Sequence, residues 1–203
     1  MRLLLATHNE HKRREFERLL PGGWEIETLP ADVELPPEDG ETFAENALGK
    51  ARASARATGR ASFADDSGIA AEALGGAPGV RSARYAGEDA GDEENLWKLL
   101  REVPAGGALE YVCAIAYVDP DAGVEQVFEG RCAGRLAAAP GGHGGFGYDP
   151  AFVPDDIPPG DESSPPRTMA QLTDEQKDAI SHRGRAAWAL LEWLEARAVA
   201  TAG

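Results

Sequence analysis

Two long strand-like stretches, residues 109–118 and 124–136, are parted only by Asp119-Pro120-Asp121-Ala122-Gly123. Runs of this length, rich in β-branched and aromatic residues, read as strands, and a Pro/Asp/Gly segment between them reads as a turn. The pair is an antiparallel hairpin. A lone hairpin is marginal in water, so it must join a larger sheet.

The first third of the chain supplies that sheet. Residues 2–7 form a short apolar strand, broken at Thr7-His8-Asn9. Residues 10–20 follow as a helix with Phe16, Leu19 and Leu20 on its apolar face, ended by Pro21-Gly22-Gly23. Residues 24–29 alternate as a second strand, and 30–40 are a proline- and acid-rich loop. Phe43, Ala47, Leu48, Ala51 and Ala55 have helical spacing, with Thr42 and Glu45 as a capping box and Gly59 as the stop. Residues 62–64 lead into Asp65-Asp66-Ser67-Gly68, with a further strand over 69–74. Helices are expected over 92–103, 173–180 and 184–197, the last with Trp188, Leu191 and Leu194 as its buried stripe. Residues 140–150 are glycine-rich, and 155–166 read as a mobile surface loop. Parallel-type alternation followed by a hairpin gives an α/β fold: a mixed central β-sheet flanked by helices, in two lobes with the active-site cleft between them. The 203 residues fit a single two-lobed domain over 1–203.

Charge narrows the partners. Lys and Arg number 20 against 35 Asp and Glu, a net charge of −15. Bulk charge of that sign repels duplex nucleic acid and anionic membranes. A small anion at a local basic site, or one bridged by a divalent cation, remains open. The positive charge is concentrated: residues 47–62 hold four basic residues and no acidic one, whereas 25–46 hold eight acidic and no basic one. No apolar run approaches membrane-spanning length, and the first residues are too short a run for a signal peptide. Cys113 and Cys132 lack CxxC spacing and read as two reduced, buried thiols of a cytosolic protein.

Four clusters carry candidate chemistry. Thr7-His8-Asn9-Glu10-His11-Lys12 opens a helix, which suits either a phosphate site or an ordinary cap with a solvated basic face. Asp65-Asp66 can hold Mg2+, with Glu38 as a second ligand, or can belong to a plain turn. Gly144-Gly145-Phe146-Gly147-Tyr148-Asp149 offers a ring to stack on a base and a carboxylate to accept from a ring N–H, or is a surface turn. Lys177 and Ser181-His182-Arg183 offer donors for a phosphate or keto oxygen, or mark a helix boundary.

Taken in order along the chain, Ala6–Lys12, Glu41-Thr-Phe-Ala-Glu-Asn-Ala47, Ala64-Asp-Asp-Ser-Gly68, Leu74-Gly-Gly-Ala-Pro-Gly79, Ser82-Ala-Arg-Tyr85, Gly145–Pro150 and Ser181–Arg183 resemble the inosine triphosphate pyrophosphatase family, the dITP/XTP pyrophosphatases. The resemblance covers nearly the whole chain. It implies a cytoplasmic, homodimeric hydrolase that uses Mg2+ to cleave dITP, ITP and XTP to the monophosphate and pyrophosphate. It further implies that Thr7, His8, Asn9, Glu10, His11 and Lys12 bind phosphates, with Lys50 nearby. Glu38 and Asp66 would hold the metal, Asp66 also accepting the proton, and Ser67 would touch substrate. Phe146, Gly147, Tyr148 and Asp149 would hold the base, with Lys177, His182 and Arg183 closing the site. Asp66, Lys12 and His182 are the implied catalytic groups. A related pyrophosphatase of modified pyrimidine nucleotides and a non-catalytic nucleotide sensor are the rival readings.

Overall fold

The computed structural model describes residues 2–20, 23–158, 161 and 165–201. Its strands are β1 (Arg2–Leu5), β2 (Glu25–Thr28), β3 (Ser62–Ala71), β4 (Ala108–Asp119), β5 (Val124–Leu136) and β6 (Phe152–Pro154). They form one sheet in the order β2-β1-β3-β4-β5-β6. The β1 pairings to β2 and β3 are parallel, and β5 pairs antiparallel with β6, so the sheet is mixed. The helices are α1 (Glu10–Leu19), α2 (Phe43–Thr58), α3 (Asp92–Glu102), α4 (Asp174–Ile180) and α5 (His182–Thr201). The α/β class expected from the pattern is the one observed.

The chain divides into two compact units. The first is Met1–Asp66, Cys113–Gly130 and Arg183–Gly203; the second is Ser67–Val112 and Arg131–His182. In the first, strand periodicity sorts side chains to two faces. Leu3, Leu5, Phe63, Cys113, Ile115 and Tyr117 face α1 and α5, where Phe16, Leu19, Ala186, Ala187, Leu190 and Leu194 meet them. Phe16 packs edge-on to Phe63 with centroids 5.2 Å apart. Ala64, Ala114, Ala116 and Val118 face α2, where Ala47, Ala51 and Ala55 complete a core of small side chains. Asp65 therefore takes the Phe63 face and Asp66 the Ala64 face. Helix α2 carries the expected box, Glu45 N–H to Thr42 Oγ1 and Thr42 N–H to Glu45 Oε2, both 3.2 Å, and ends at Gly59 with φ 65°. Such a cap stabilises a helix by about 1 kcal/mol.

The second unit packs Ile69, Leu96, Leu99, Leu109, Tyr111, Tyr148, Phe152, Met169 and Ile180 into its own core. Cys113 and Cys132 are free and buried. No helix among the described residues is long and apolar enough to cross a membrane.

Several expectations change. Asp65-Asp66-Ser67-Gly68 is no turn: it lies inside the continuous strand β3, which runs to Ala71 before a 3-10 turn over Glu72–Leu74. Gly68 marks a close backbone approach instead, since a Cβ there would stand 2.6 Å from the Gly79 carbonyl oxygen. Helix α5 begins at His182, and Trp188 is not in its buried stripe but 48% exposed. Arg183, Ala186, Ala187, Leu190 and Leu194 hold the i, i+3, i+4, i+7 and i+11 positions, which turns Trp188 outward. Strand β6 was not foreseen; three residues carry no period. The stop at Pro21-Gly22 and most of the 159–164 loop lie outside the described residues.

Candidate active site

In the first unit, α1 starts at an occupied cap. Asn9 Oδ1 accepts the N–H groups of His11 (2.9 Å) and Lys12 (3.1 Å), and Thr7 Oγ1 accepts the Asn9 N–H (3.2 Å). The cap reading of this segment is thus real. Its basic face, however, is not wholly solvated. Lys12, Glu15, Phe16 and Leu19 fall on one helical stripe, and that stripe faces the sheet. Lys12 Nζ reaches Asp65 Oδ2 at 3.1 Å. Arg183, in the first turn of α5, donates to the same oxygen from Nε (3.3 Å) and Nη2 (3.1 Å) and pairs with Glu15 through Nη1.

Burial alone would push the Asp65 carboxyl up. Lys12, Arg183 and Lys50 outweigh it and hold the group well below the usual carboxylate range. Burial likewise works against the Arg183 charge, but Glu15 and Asp65 keep the guanidinium firmly protonated. Cys113 Sγ lies 4.0 Å from Asp65 Oδ2, and burial with that carboxylate pushes the thiol up.

Asp66 belongs to the other face of the strand. Gly40 N–H donates to Asn46 Oδ1 at 2.8 Å, which turns the Asn46 amide nitrogen toward Asp66 Oδ2, also 2.8 Å away. Lys50 Nζ is ion-paired with Glu38 and stands 3.9 Å from Asp66 Oδ1. Burial raises the Asp66 carboxyl; Lys50 opposes it, Glu38 adds to it, and the balance lies above the ordinary value. Glu38 lies below its ordinary value because Lys50 outweighs burial, and Lys50 is raised because Asp65, Glu38 and Asp66 outweigh burial. Two carboxylates thus flank one ammonium. Among the described residues no set of three or more acidic, His or Cys ligands is gathered. Glu38 and Asp66 are the oxygen pair available to a hard cation.

The second unit carries a smaller polar cluster. Asp149 is 3% exposed, and its Oδ2 accepts from Lys177 Nζ (2.7 Å) and the Phe146 N–H (3.0 Å). Gly145 has φ 68°, and a Cβ there would run into the Asp149 carboxylate, so only glycine fits. Lys177 Nζ also sits 5.3 Å from the Phe146 ring centroid. Gly147 N–H donates to Asp92 Oδ2 at 3.0 Å, and Tyr148 OH donates to the Ser82 carbonyl at 2.7 Å. His182 stacks on Tyr111.

The residues singled out from sequence thus fall into two groups. Lys12, Glu38, Lys50, Asp66 and Arg183 converge in the first unit, and Phe146, Asp149, Lys177 and His182 in the second. His182 and Arg183, adjacent in sequence, serve different clusters. His8, Asn9, Glu10 and His11 are exposed, Glu10 pairing with Arg13; Thr7, Ser67, Phe146 and Gly147 are half-buried, and Tyr148 is buried. Three participants were not foreseen: Glu15, Asn46 and Tyr111. Glu15 left a signal, a carboxylate on the Phe16/Leu19 stripe. Asn46 stands between the apolar positions of α2, four residues before Lys50. Tyr111 left none, because a tyrosine in an apolar strand reads as core.

Known proteins share this architecture. The sequence model of the Ham1 family matches residues 3–193. A dITP/XTP pyrophosphatase of Symbiobacterium thermophilum is 48% identical over 198 residues, covering 96% of this chain and 95% of that protein. Among solved structures, a HAM1 protein from Coxiella burnetii matches with TM-score 0.82 at 36% identity, covering 96% of this chain and 98% of that one. A nucleoside-triphosphatase / dITP/XTP pyrophosphatase from Mycobacterium abscessus matches with TM-score 0.70 at 44% identity, covering 94% and 99%. A family match from the first strand nearly to the end of the last helix, joined to this sheet order, means that the chain belongs to the Ham1 family.

Proposed function

We propose that the protein hydrolyses deaminated purine nucleoside triphosphates (dITP, ITP and XTP) to the monophosphate and pyrophosphate, removing them from the nucleotide pool. The observation that carries this is the pair of carboxylates, Glu38 and Asp66, flanking Lys50 in a unit that also holds Lys12. Hard oxygen donors in so small a number suit Mg2+, which keeps waters and takes its remaining ligands from substrate phosphates. When bound, Mg2+ supplies charge neutralisation on those phosphates.

The chain's own groups do the rest. Residues Thr7 to Lys12 receive the phosphates, and Lys50 exchanges a carboxylate partner for a phosphate oxygen. Arg183 serves by holding Asp65, which in turn keeps Lys12 aimed. Asp66, steadied by Asn46, orients the attacking water. The water oxygen bonds to the α-phosphorus, the α–β bridging P–O bond breaks, pyrophosphate leaves, and the water's proton passes to Asp66. In the second unit Phe146 stacks on the base. A 6-keto purine presents an acceptor at O6 and a donor at N1, matching donors His182 and Lys177 and acceptor Asp149. Adenine reverses both, leaving like groups opposed, a mismatch that can cost about 10⁴ in kcat/KM. Residues 1–203 act as a single functional domain, in a cytoplasmic homodimer. The free thiols of Cys113 and Cys132 support a reducing compartment, and the family resemblance supports the dimer.

Pyrophosphate release from dITP, measured with and without Mg2+ and against dATP, tests the reading. Glu15, Glu38, Asp65 and Asp66 face Lys12, Lys50 and Arg183, so with all groups ionised the first unit's cluster has one charge more negative than positive. Nucleotide binding without the metal should therefore be weak. No release with Mg2+ present, or equal turnover of dATP, would defeat the proposal.

A further inference from the structure

One buried phenol touches both polar elements of the second unit's cluster. Tyr111, on β4, lies against the His182 imidazole with ring centroids 4.5 Å apart and planes 6° apart. Its hydroxyl donates to Asp149 Oδ1 at 3.1 Å. Phe152 packs on the same ring at 4.5 Å and keeps it in place. A carboxylate oxygen offers two acceptor directions. Lys177 and the Phe146 N–H use both at Oδ2, and Tyr111 uses one at Oδ1.

We propose that Tyr111 is a positioning residue for base recognition, its ring fixing the plane of His182 and its hydroxyl fixing the acceptor direction left to Asp149. The inference rests on the reading above, that Asp149 and His182 meet the base. An imidazole turns broadly about its last torsion. A parallel aromatic face on one side leaves it one plane, and so confines its N–H to that plane. The hydroxyl acts on the second element in the same way. A hydrogen bond to a carboxylate is short-ranged, directional and stronger than a neutral one, so it selects one carboxylate rotamer. A single side chain thereby fixes the donor and the acceptor that a 6-keto purine edge requires together. Nothing in this role reaches the phosphorus. Its loss should appear in KM and in the choice among bases, not in kcat.

Tyr111→Phe keeps the ring and removes only the hydroxyl, whereas Tyr111→Leu removes both. Steady-state kinetics with dITP, dGTP and dATP, with Tm for each variant, read the difference. For Tyr111→Phe, KM for dITP should rise about tenfold, kcat should stay within about twofold, and the preference for dITP over dATP should shrink by a similar factor. Tyr111→Leu should lose more preference than Tyr111→Phe. A Tyr111→Phe enzyme with unchanged KM and preference overturns the proposal. A uniform loss on all three substrates with lowered Tm also overturns it, since that marks packing alone. If the unaltered enzyme releases no pyrophosphate from dITP, the functional reading falls and this role with it. Failure confined to the variants removes only Tyr111.

Discussion

The two units bury carboxylates in opposite ways. Asp65, in the first, sits among Lys12, Arg183 and Lys50, three cations that together hold its charge. Asp149, in the second, has one cation, Lys177; its other donors are a backbone N–H and a tyrosine hydroxyl, framed by aromatic rings. Neutral donors are directional and hold a shape. Ammonium groups on flexible stems are point charges that change partners when a stronger anion arrives. The first arrangement suits a polyanion that enters and leaves with its cation, and the second suits reading the edge of a flat ring. On the proposed function, chemistry falls to the first arrangement and choice to the second.

The comparison breaks most directly at its two central carboxylates. Asp66→Asn keeps the shape and removes the proposed cation ligand and proton acceptor, so kcat for dITP should fall about 10³-fold with Tm little changed. Asp149→Asn should instead leave kcat within a few fold while preference for dITP over dATP and dGTP declines. Equal kcat losses in both variants would erase the division between chemistry and choice.

A second pair sharpens it in stability. Asp65→Asn leaves Lys12 and Arg183 facing an uncharged amide in the interior. Breaking one partner of a buried ion pair costs about 3–5 kcal/mol, or about 10 °C in Tm for a domain of this size. Lys177→Met leaves Asp149 with the Phe146 N–H and the Tyr111 hydroxyl, so the cost should be about 1–3 kcal/mol. Thermal unfolding of the two variants decides it; a larger loss in Lys177→Met would show that neutral donors do not share the charge as argued.

How much of this was legible in the sequence follows from distance along the chain. The α2 box of Thr42 and Glu45 and its Gly59 stop were legible because capping is decided within four residues. The hairpin was legible because two long runs and their turn lie together. A turn stayed open for Asp65-Asp66 because two adjacent carboxylates look solvated when their partners are out of view. Lys12 lies 53 positions before Asp65 and Arg183 lies 118 after it, and only the folded sheet brings them to one oxygen. Trp188 was misplaced because α5 has small or apolar residues on several sides, and Arg183 decides which side is inner. The site types were visible in the motifs; their division between two clusters, with His182 and Arg183 parting company, was not.

The smallest expected effect tests the origin of the Asp65 charge. Lys12, Arg183 and Lys50 hold its carboxyl below the ordinary value of 3.8, so the unfolded chain takes up this proton at higher pH than the folded one. The stability it contributes is therefore present in full above about pH 4 and is lost as pH falls through the range beneath, at no more than about 1.4 kcal/mol per pH unit. Asp65→Asn has no such proton to bind. Its Tm deficit against the unaltered protein should be constant from pH 7 to pH 5 and should narrow below pH 4. Calorimetric scans between pH 6 and pH 2.5 measure that gap. A gap that stays constant to the acid end would mean that the three cations stabilise Asp65 by shape and hydrogen bonding, not by charge, and the contrast with Asp149 would then be one of packing alone.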